Sequence, residues 1–280
     1  MDYPNIKIDV VIPTGKNIYE SNYSICYTIR SILSQTIQPN CIYIVENIKN
    51  LYLRDVLCPM FGNHIKIIDG TEKTPNISYA RNLGISHCTS DIIVLMDDDI
   101  VLGYNNYFDK IINILSHNDF CCGAKRYWTH TNWYDYLKLD YLMNHNLLIL
   151  KDKSFLPYSI NRDNGEPSCH DFSFIGNFGA IRRNILTEVD GFDEEYIGWL
   201  YQDTDLMMRL CYKGYKYEIL SYSNIFCYHL AHSANKQTFM ELNKNRFVNK
   251  QNELGIKFHT TNFFGRFNNE LTDVITYKGQ

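Results

Sequence analysis

ISYARNLGISHCTSDIIVLMDDDI, residues 77–100, holds a helix, a strand and a chemical signal in one run. Residues 76–87 read as a helix and residues 91–96 (DIIVLM) as a buried strand. That strand ends on three consecutive carboxylates, Asp97, Asp98 and Asp99. Upstream, the same alternation repeats. Residues 7–13 (KIDVVIP) read as a buried strand, with Val10, Val11 and Ile12 closed by Pro13. Ile25, Ile29, Ile32 and Leu33 fall on one face of a helix at i, i+4, i+7 and i+8. Residues 41–46 (CIYIVE) are a second strand, a short helix falls around 51–57, and residues 65–69 (IKIID) are a third strand. Strands alternating with helices predict an α/β fold: a mostly parallel sheet flanked by helices and joined by right-handed crossovers. Ligands of such sheets bind beyond the carboxyl ends of the strands, near the point where strand order reverses. The residues there are Thr14, Glu46, Asp69 and the Asp97–Asp99 run.

Downstream the pattern changes. Residues 103–171 carry helical stretches and then the turn-rich NRDNGEPSCHD. Residues 172–181 (FSFIGNFGAI) are strand-like with two glycines, 183–189 helical, 190–195 (DGFDEE) a turn and 204–213 a helix. Residues 217–228 are strand-rich, 236–253 look helical, and the tail from Lys257 is aromatic and weakly patterned. No repeat or low-complexity linker divides the chain.

Bulk composition narrows the class. With 280 residues the chain can bury a sizeable core. A net charge of −4 gives no broad surface for nucleic acid. The 22 Tyr read as compositional drift and do not by themselves argue for sugar stacking. Nine scattered Cys, an odd number without a C-x-x-C pair, argue against a zinc site and a disulfide framework and favour a reducing, cytoplasmic setting. MDYPNIKID runs straight into a strand pattern, without a basic and apolar leader. No apolar run approaches the ~18 residues of a membrane span.

Three adjacent carboxylates at a strand end repel one another unless a cation is present. Carboxylate oxygen is a hard ligand matched to Mg²⁺ or Mn²⁺, which bind through one or two carboxylates plus substrate phosphates. A solvated acidic turn is the plainer alternative. In QDTDLMMRL, residues 202–210, Asp203 and Asp205 sit at a helix start, where carboxylates suit free N–H groups. The aromatic, glycine-containing GWLY precedes Asp203, so its carboxylate is also a candidate to take a proton from an acceptor hydroxyl. His229 and His232 in YHLAHS follow a strand 26 residues after Asp203 and are candidate metal ligands.

These blocks together resemble the family 2 glycosyltransferases of the GT-A fold. VVIPT and SILSQTIQPNCIYIVEN resemble that family's first strand, helix and second strand. The 77–100 block resembles its D-x-D region, and FIGNFGAIRRNILTEVDGFDEE with GWLYQDTDLMMRL its acceptor-side motifs. The resemblance runs from about residue 7 to 235. It implies a Rossmann-like GT-A sheet with a smaller acceptor-side subregion. Residues 1–100 would be the nucleotide-sugar-binding half, 101–235 the metal- and acceptor-binding half of the same catalytic domain, and 236–280 a C-terminal helical extension.

The resemblance also implies roles. Pro13 and Thr14 line the nucleotide pocket; Glu46 and Asp69 reach the base, and Arg81 the base or diphosphate. Asp97 faces the ribose side, with Asp98 beside it in the nucleotide set. Asp99 binds Mn²⁺ or Mg²⁺ with His229, or with His232 as its rival. Asp203 is the catalytic base. Gly176, Asn177, Trp199 and Gln202 lie near donor sugar and acceptor. The donor implied is a UDP-sugar, and the acceptor a glycan, a lipid-linked saccharide or a protein. Glu46 stands where the family usually has Asp, and Gln202 where an acidic residue commonly precedes the base; both leave the specificity open. One base without a covalent nucleophile predicts inversion.

The rivals are a retaining transferase of the same fold, a non-catalytic sugar-nucleotide or partner-binding relative, and a nucleotidyltransferase. The last is disfavoured because PTGKNIYES has one Gly and one Lys where a triphosphate grip needs more. Lys236, Lys244, Arg246 and Lys250, interleaved with Phe239, Met240 and Phe247, suggest either a helix packed on the domain or a peripheral membrane contact.

Overall fold

The computed structural model describes residues 6–15, 23–73, 75–128, 175–198, 200–220, 223, 225–230, 239–258 and 275–277. The first half runs β1 (Ile8–Thr14), α1 (Ser24–Leu33), β2 (Cys41–Glu46), α2 (Leu53–Phe61), β3 (Ile65–Asp69), α3 (Ile77–His87) and β4 (Ile92–Met96). Then come β5 (Ile100–Leu102), α4 (Tyr107–Leu115), β6 (Phe120–Cys122) and β7 (Lys125–Trp128). After the undescribed 129–174 follow β8 (Phe178–Arg182), α5 (Arg183–Glu188), α6 (Gln202–Tyr212), β9 (Tyr217–Ile219) and β10 (Phe226–His229). The chain closes with α7 (Met240–Glu253), β11 (Ile256–Phe258) and β12 (Ile275–Tyr277).

Seven strands form the main sheet in the order β3-β2-β1-β4-β8-β6-β9. β3, β2, β1 and β4 are parallel; β8 runs antiparallel to both β4 and β6, and β9 is parallel to β6. The chain steps outward from β1 to β2 and β3, then returns to the other side of β1 as β4. That reversal opens a crevice at the carboxyl ends of β1 and β4. A three-stranded sheet, β5-β10-β7, and the pair β11-β12 complete the strands.

Alternation along the central strands divides the core. Val10, Ile12, Ile42, Ile44 and Val94 join Ile25, Ile29, Leu57 and Phe108 on one face. Val11, Tyr43, Ile93 and Leu95 join Leu206, Met207, Leu210 and Phe247 on the other. Both faces are covered, which is why β1 and β4 read as unbroken apolar runs rather than alternating ones. α3 lies against β1 and β2, and Gly84 is where it comes closest: a Cβ there would sit 2.4 Å from Val11 Cγ1. Arg81 is three residues earlier, on the same helix face, so this contact directs it toward the strand ends.

The structure shifts some boundaries. α2 continues through Pro59 to Phe61, which is buried, so packing overrides the proline signal. Residues 120–122 and 125–128, within a region expected to carry helical stretches, are strands; each is only three or four residues long and too short to show a period. α6 begins at Gln202, two residues earlier than expected, so Asp203 is inside the first turn. No helix among the described residues is long and apolar enough to cross a membrane.

Candidate active site at the crevice between β1 and β4

The crevice collects the carboxyl ends of the parallel strands. Thr14, the last residue of β1, donates from Oγ1 to Asp98 Oδ2 at 2.7 Å, and both are buried. Pro13, one residue back, is buried in register with Val45 of β2. Glu46 and Asp69 are neighbours in register at the ends of β2 and β3. Glu46 Oε1 accepts from the Asn50 amide at 3.3 Å, and Oε2 lies 3.8 Å from Arg54 Nη2. Burial pushes the Glu46 carboxyl up, against the Asn50 amide and Arg54. Asp69 is exposed, and the Thr71 amide and hydroxyl hold it below the usual carboxylate range.

Beyond β4 the three aspartates point to different partners. Asp97 is tied to the turn before β8: its amide donates to Asn177 O at 3.1 Å, and Asn177 Nδ2 donates to Asp97 Oδ2. Its other oxygen accepts from Arg81 Nη2 at 3.1 Å. Burial pushes the Asp97 carboxyl up to about 6; Arg81 opposes the rise, while Asp99, Asp203 and Asp98 add to it. Asp98 turns back to Thr14. Asp99 faces the small sheet, where β10 runs antiparallel to β5 with His229 opposite Ile100. Leu230 N donates to Asp99 O at 2.9 Å, and His229 Nε2 lies 3.5 Å from Asp99 Oδ1. The β5–β10 pairing thus joins two side chains 130 positions apart in the chain.

Arg81 links the two halves. Only 2% exposed, it donates through Nη1 to Asp203 Oδ1 at 3.1 Å while Nη2 holds Asp97. Its Cζ stands 5.1 Å from the centre of the Phe192 ring. Gly176 N donates to the same Asp203 oxygen at 2.9 Å. A Cβ on Gly176 would meet Arg81 Cζ at 2.2 Å, so this glycine admits the guanidinium. Asp203 Oδ2 has no hydrogen-bond partner among the described residues. Gln202 Oε1 is buried and also without one there. Asp205, the second carboxylate of the motif, is fully buried and bound by Arg209 Nε at 2.7 Å, Lys250 Nζ at 2.9 Å and the Tyr196 hydroxyl at 3.2 Å. Its place is structural.

The structure therefore brings Arg81, Asp97, Gly176, Asn177 and Asp203 into one network, with the Thr14–Asp98 and Asp99–His229 pairs beside it. Arg81 binds the two acidic motifs, and Asn177 holds Asp97. Trp199 and His232 lie outside the described residues. As for a cation, carboxylate oxygen with imidazole nitrogen is a donor set that suits Mn²⁺. Their 3.5 Å separation is close to the ~3 Å between adjacent ligands of an ion bound at about 2.1 Å. No group of three or more His, Cys, Asp or Glu side chains gathers for a metal among the described residues, so this pair would need other ligands. Two of the three cations of α7 are engaged: Arg246 Nε meets Asp193 at 2.7 Å, and Lys250 meets Asp193 and Asp205. The polar sequence MELNKNRFVNKQNE, read as a helix packed on the domain or a membrane contact, does not itself identify Asp193 and Asp205 as partners.

A mostly parallel sheet with a reversal crevice and a carboxylate cluster at its mouth places the chain among α/β proteins that bind ligands at the strand ends. Comparison with known proteins makes the assignment specific. The Glycosyl transferase family 2 model matches residues 9–189, and the chain belongs to that family. A second model, described as the N-terminal domain of galactosyltransferase, matches residues 157–233. No curated protein matches the sequence. Among solved structures, TarS residues 1–349 of S. aureus in complex with UDP-GlcNAc superposes with a TM-score of 0.56 at 13% identity, over 82% of this chain and 60% of that one. The mannosyltransferase PcManGT of Pyrobaculum calidifontis, in complex with GDP-Man and Mn²⁺, gives 0.54 at 13% identity, over 86% and 61%. The fold is therefore GT-A, and the chain spans about three fifths of the length of these two proteins.

Proposed function

We propose that this chain is a metal-dependent glycosyltransferase that moves a sugar from a UDP-sugar to an acceptor hydroxyl with inversion. One observation carries the reading: Asp203 is held by Oδ1 to Arg81 and Gly176, beside the Asp97–Asp99 run. Its second oxygen is left for an incoming hydroxyl. Asp203 takes the proton, and the acceptor oxygen bonds to the anomeric carbon as the bond to the diphosphate breaks with its electron pair. Asp99 and His229 would hold Mn²⁺ or Mg²⁺, with His232 as the rival of His229. When bound, the ion offsets the charge of the departing diphosphate. Pro13, Thr14, Glu46 and Asp69 would form the nucleoside wall; Asn177, Trp199 and Gln202 would face donor sugar and acceptor. Residues 1–100 and 101–235 serve as donor and acceptor halves.

Family membership supports transfer from a nucleotide sugar. The complexes of TarS with UDP-GlcNAc and of PcManGT with GDP-Man and Mn²⁺ support the donor class and the ion. The acceptor is a glycan, a lipid-linked saccharide or a protein. Eight free cysteines among the described residues favour the cytoplasm. Arg246 and Lys250, two of the basic side chains available for a membrane surface, are engaged within the protein, which weakens that contact. Thermal shift across UDP- and GDP-sugars, with and without Mn²⁺, tests the proposal, because a ligand of the native state raises Tm by mass action. A Tm rise with UDP-sugars that needs Mn²⁺ is expected; no rise with any nucleotide sugar would count against it.

A further inference from the structure

The helix α7 lies beyond the residues either family model matches, yet it grips the loop that leads to Asp203. Asn243 is fully buried. Its Oδ1 accepts from Ile197 N at 3.2 Å, and its Nδ2 donates to Ile197 O at 2.9 Å and Leu200 O at 3.1 Å. Phe239, at the start of the helix, closes on Gly198, where a Cβ would sit 2.9 Å from its ring. Phe247 packs on Tyr201 with ring centres 5.4 Å apart.

The gripped loop is strained. Leu200 and Tyr201 have φ of 79° and 73°, consecutive left-handed conformations at residues with a Cβ. Side chains disfavour that region, so the loop needs outside contacts to keep it. Tyr201 immediately precedes the first turn of α6, which carries Gln202 and Asp203. The direction of the Asp203 carboxylate therefore depends on two backbone torsions that α7 stabilises.

We infer that Asn243 is a positioning residue for the transfer reaction, holding Ile197 and Leu200 so that Asp203 is aimed at the acceptor oxygen; this rests on the reading of Asp203 as the base. A group misplaced by about 1 Å can lose roughly 100-fold in rate. The effect belongs in kcat, because Asp203 is assigned to the acceptor hydroxyl and not to the nucleoside.

The test is nucleotide release from UDP-N-acetylglucosamine and from GDP-mannose with Mn²⁺, with water as acceptor, using the donor that binds. Donor affinity is measured separately by calorimetry. Asn243→Ala is expected to lower kcat roughly 10- to 100-fold with donor Kd unchanged. Asn243→Asp keeps the acceptor for Ile197 N–H and loses both donations; the same kcat loss is expected, and it is the variant read if the alanine chain does not fold. Lys244→Ala, on the exposed side of the helix, is expected to change neither quantity. Wild-type kcat in the Asn243 variants overturns the inference, as does a loss of donor affinity in step with kcat. Asp203→Asn is run in parallel. Release that survives there removes the base reading itself; release lost there but kept in the Asn243 variants overturns the positioning role alone.

Discussion

Arg81 Nη1 donates to Asp203 Oδ1 at 3.1 Å while Nη2 of the same guanidinium holds Asp97 Oδ1 at 3.1 Å. One cation thus ties the end of β4 to the first turn of α6. Removing one partner of a buried ion pair leaves uncompensated charge and costs about 3–5 kcal/mol. Arg81→Ala should lower Tm strongly, because two carboxylates would then face each other. Arg81→Lys keeps the charge but not the planar fork that reaches both. The lysine variant is expected to fold and to release nucleotide from a bound donor at about a tenth of the wild-type rate or less, a loss of ~1.4 kcal/mol. A lysine variant with full activity would refute the bridging role.

Gly176 should be intolerant of any side chain. The 2.2 Å approach to Arg81 Cζ is to a guanidinium fixed at both ends, so an added methyl cannot be absorbed by a loose side chain. Overpacking of this kind costs about 1–3 kcal/mol. Gly176→Ala should therefore lower both Tm and nucleotide release. Gly214 is the control: its φ is 81° and nothing lies within 4 Å of a Cβ built there. Gly214→Ala should cost about 1 kcal/mol of backbone strain and leave the rate of release intact. Melting curves and turnover on the two variants separate a packed glycine from a merely left-handed one.

The parallel half of the sheet was legible because burial on both faces leaves a plain mark. Val10 to Ile12 and Ile92 to Met96 are unbroken apolar runs, and each ends at a residue that reaches the crevice. Asp97–Asp99 and Asp203 stood out because carboxylates in those places are rarely neutral choices. Their coupling did not stand out. Arg81 and Asp203 are 122 positions apart, and nothing local in either motif says that one side chain spans both. Gly176 reads as a glycine near the sugars, and its close approach to Arg81 is a second reason for it that the sequence does not show. Asn243 was invisible, since an asparagine in a polar helix looks like any solvated residue until its hydrogen bonds are known.

The proposed metal dependence can be tested at the Asp99–His229 pair. If the pair holds the ion, EDTA should abolish nucleotide release and added Mn²⁺ should restore it. His229→Ala should raise the Mn²⁺ needed for half-maximal release by about 10-fold or more, in the range seen when metal-site support is removed. Asp99→Ala should leave no metal-dependent release. Release unaffected by EDTA would dismiss the ion from the reaction.

Asp193 makes the docking of α7 sensitive to acid. It lies in the turn between α5 and α6 and binds Arg246 Nε at 2.7 Å, Lys250 Nζ and, through Oδ1, the Glu195 amide at 2.9 Å. Burial pushes its carboxyl up, but Lys250, the Glu195 amide and Arg246 outweigh it and hold the pKa below the ordinary value. A carboxyl depressed in the folded state binds fewer protons there than in the unfolded chain. Its stabilisation is complete above the unfolded pKa of about 3.9 and is lost as pH falls through the lower folded value. Between pH 7 and pH 5 Asp193 should contribute no pH dependence to Tm. Below about pH 4 the wild-type Tm should fall more steeply than that of Asp193→Asn, which starts lower because it has already lost the charge. Melting curves from pH 7 to pH 3 on both proteins measure the difference, and parallel curves throughout would show that Asp193 does not anchor the helix.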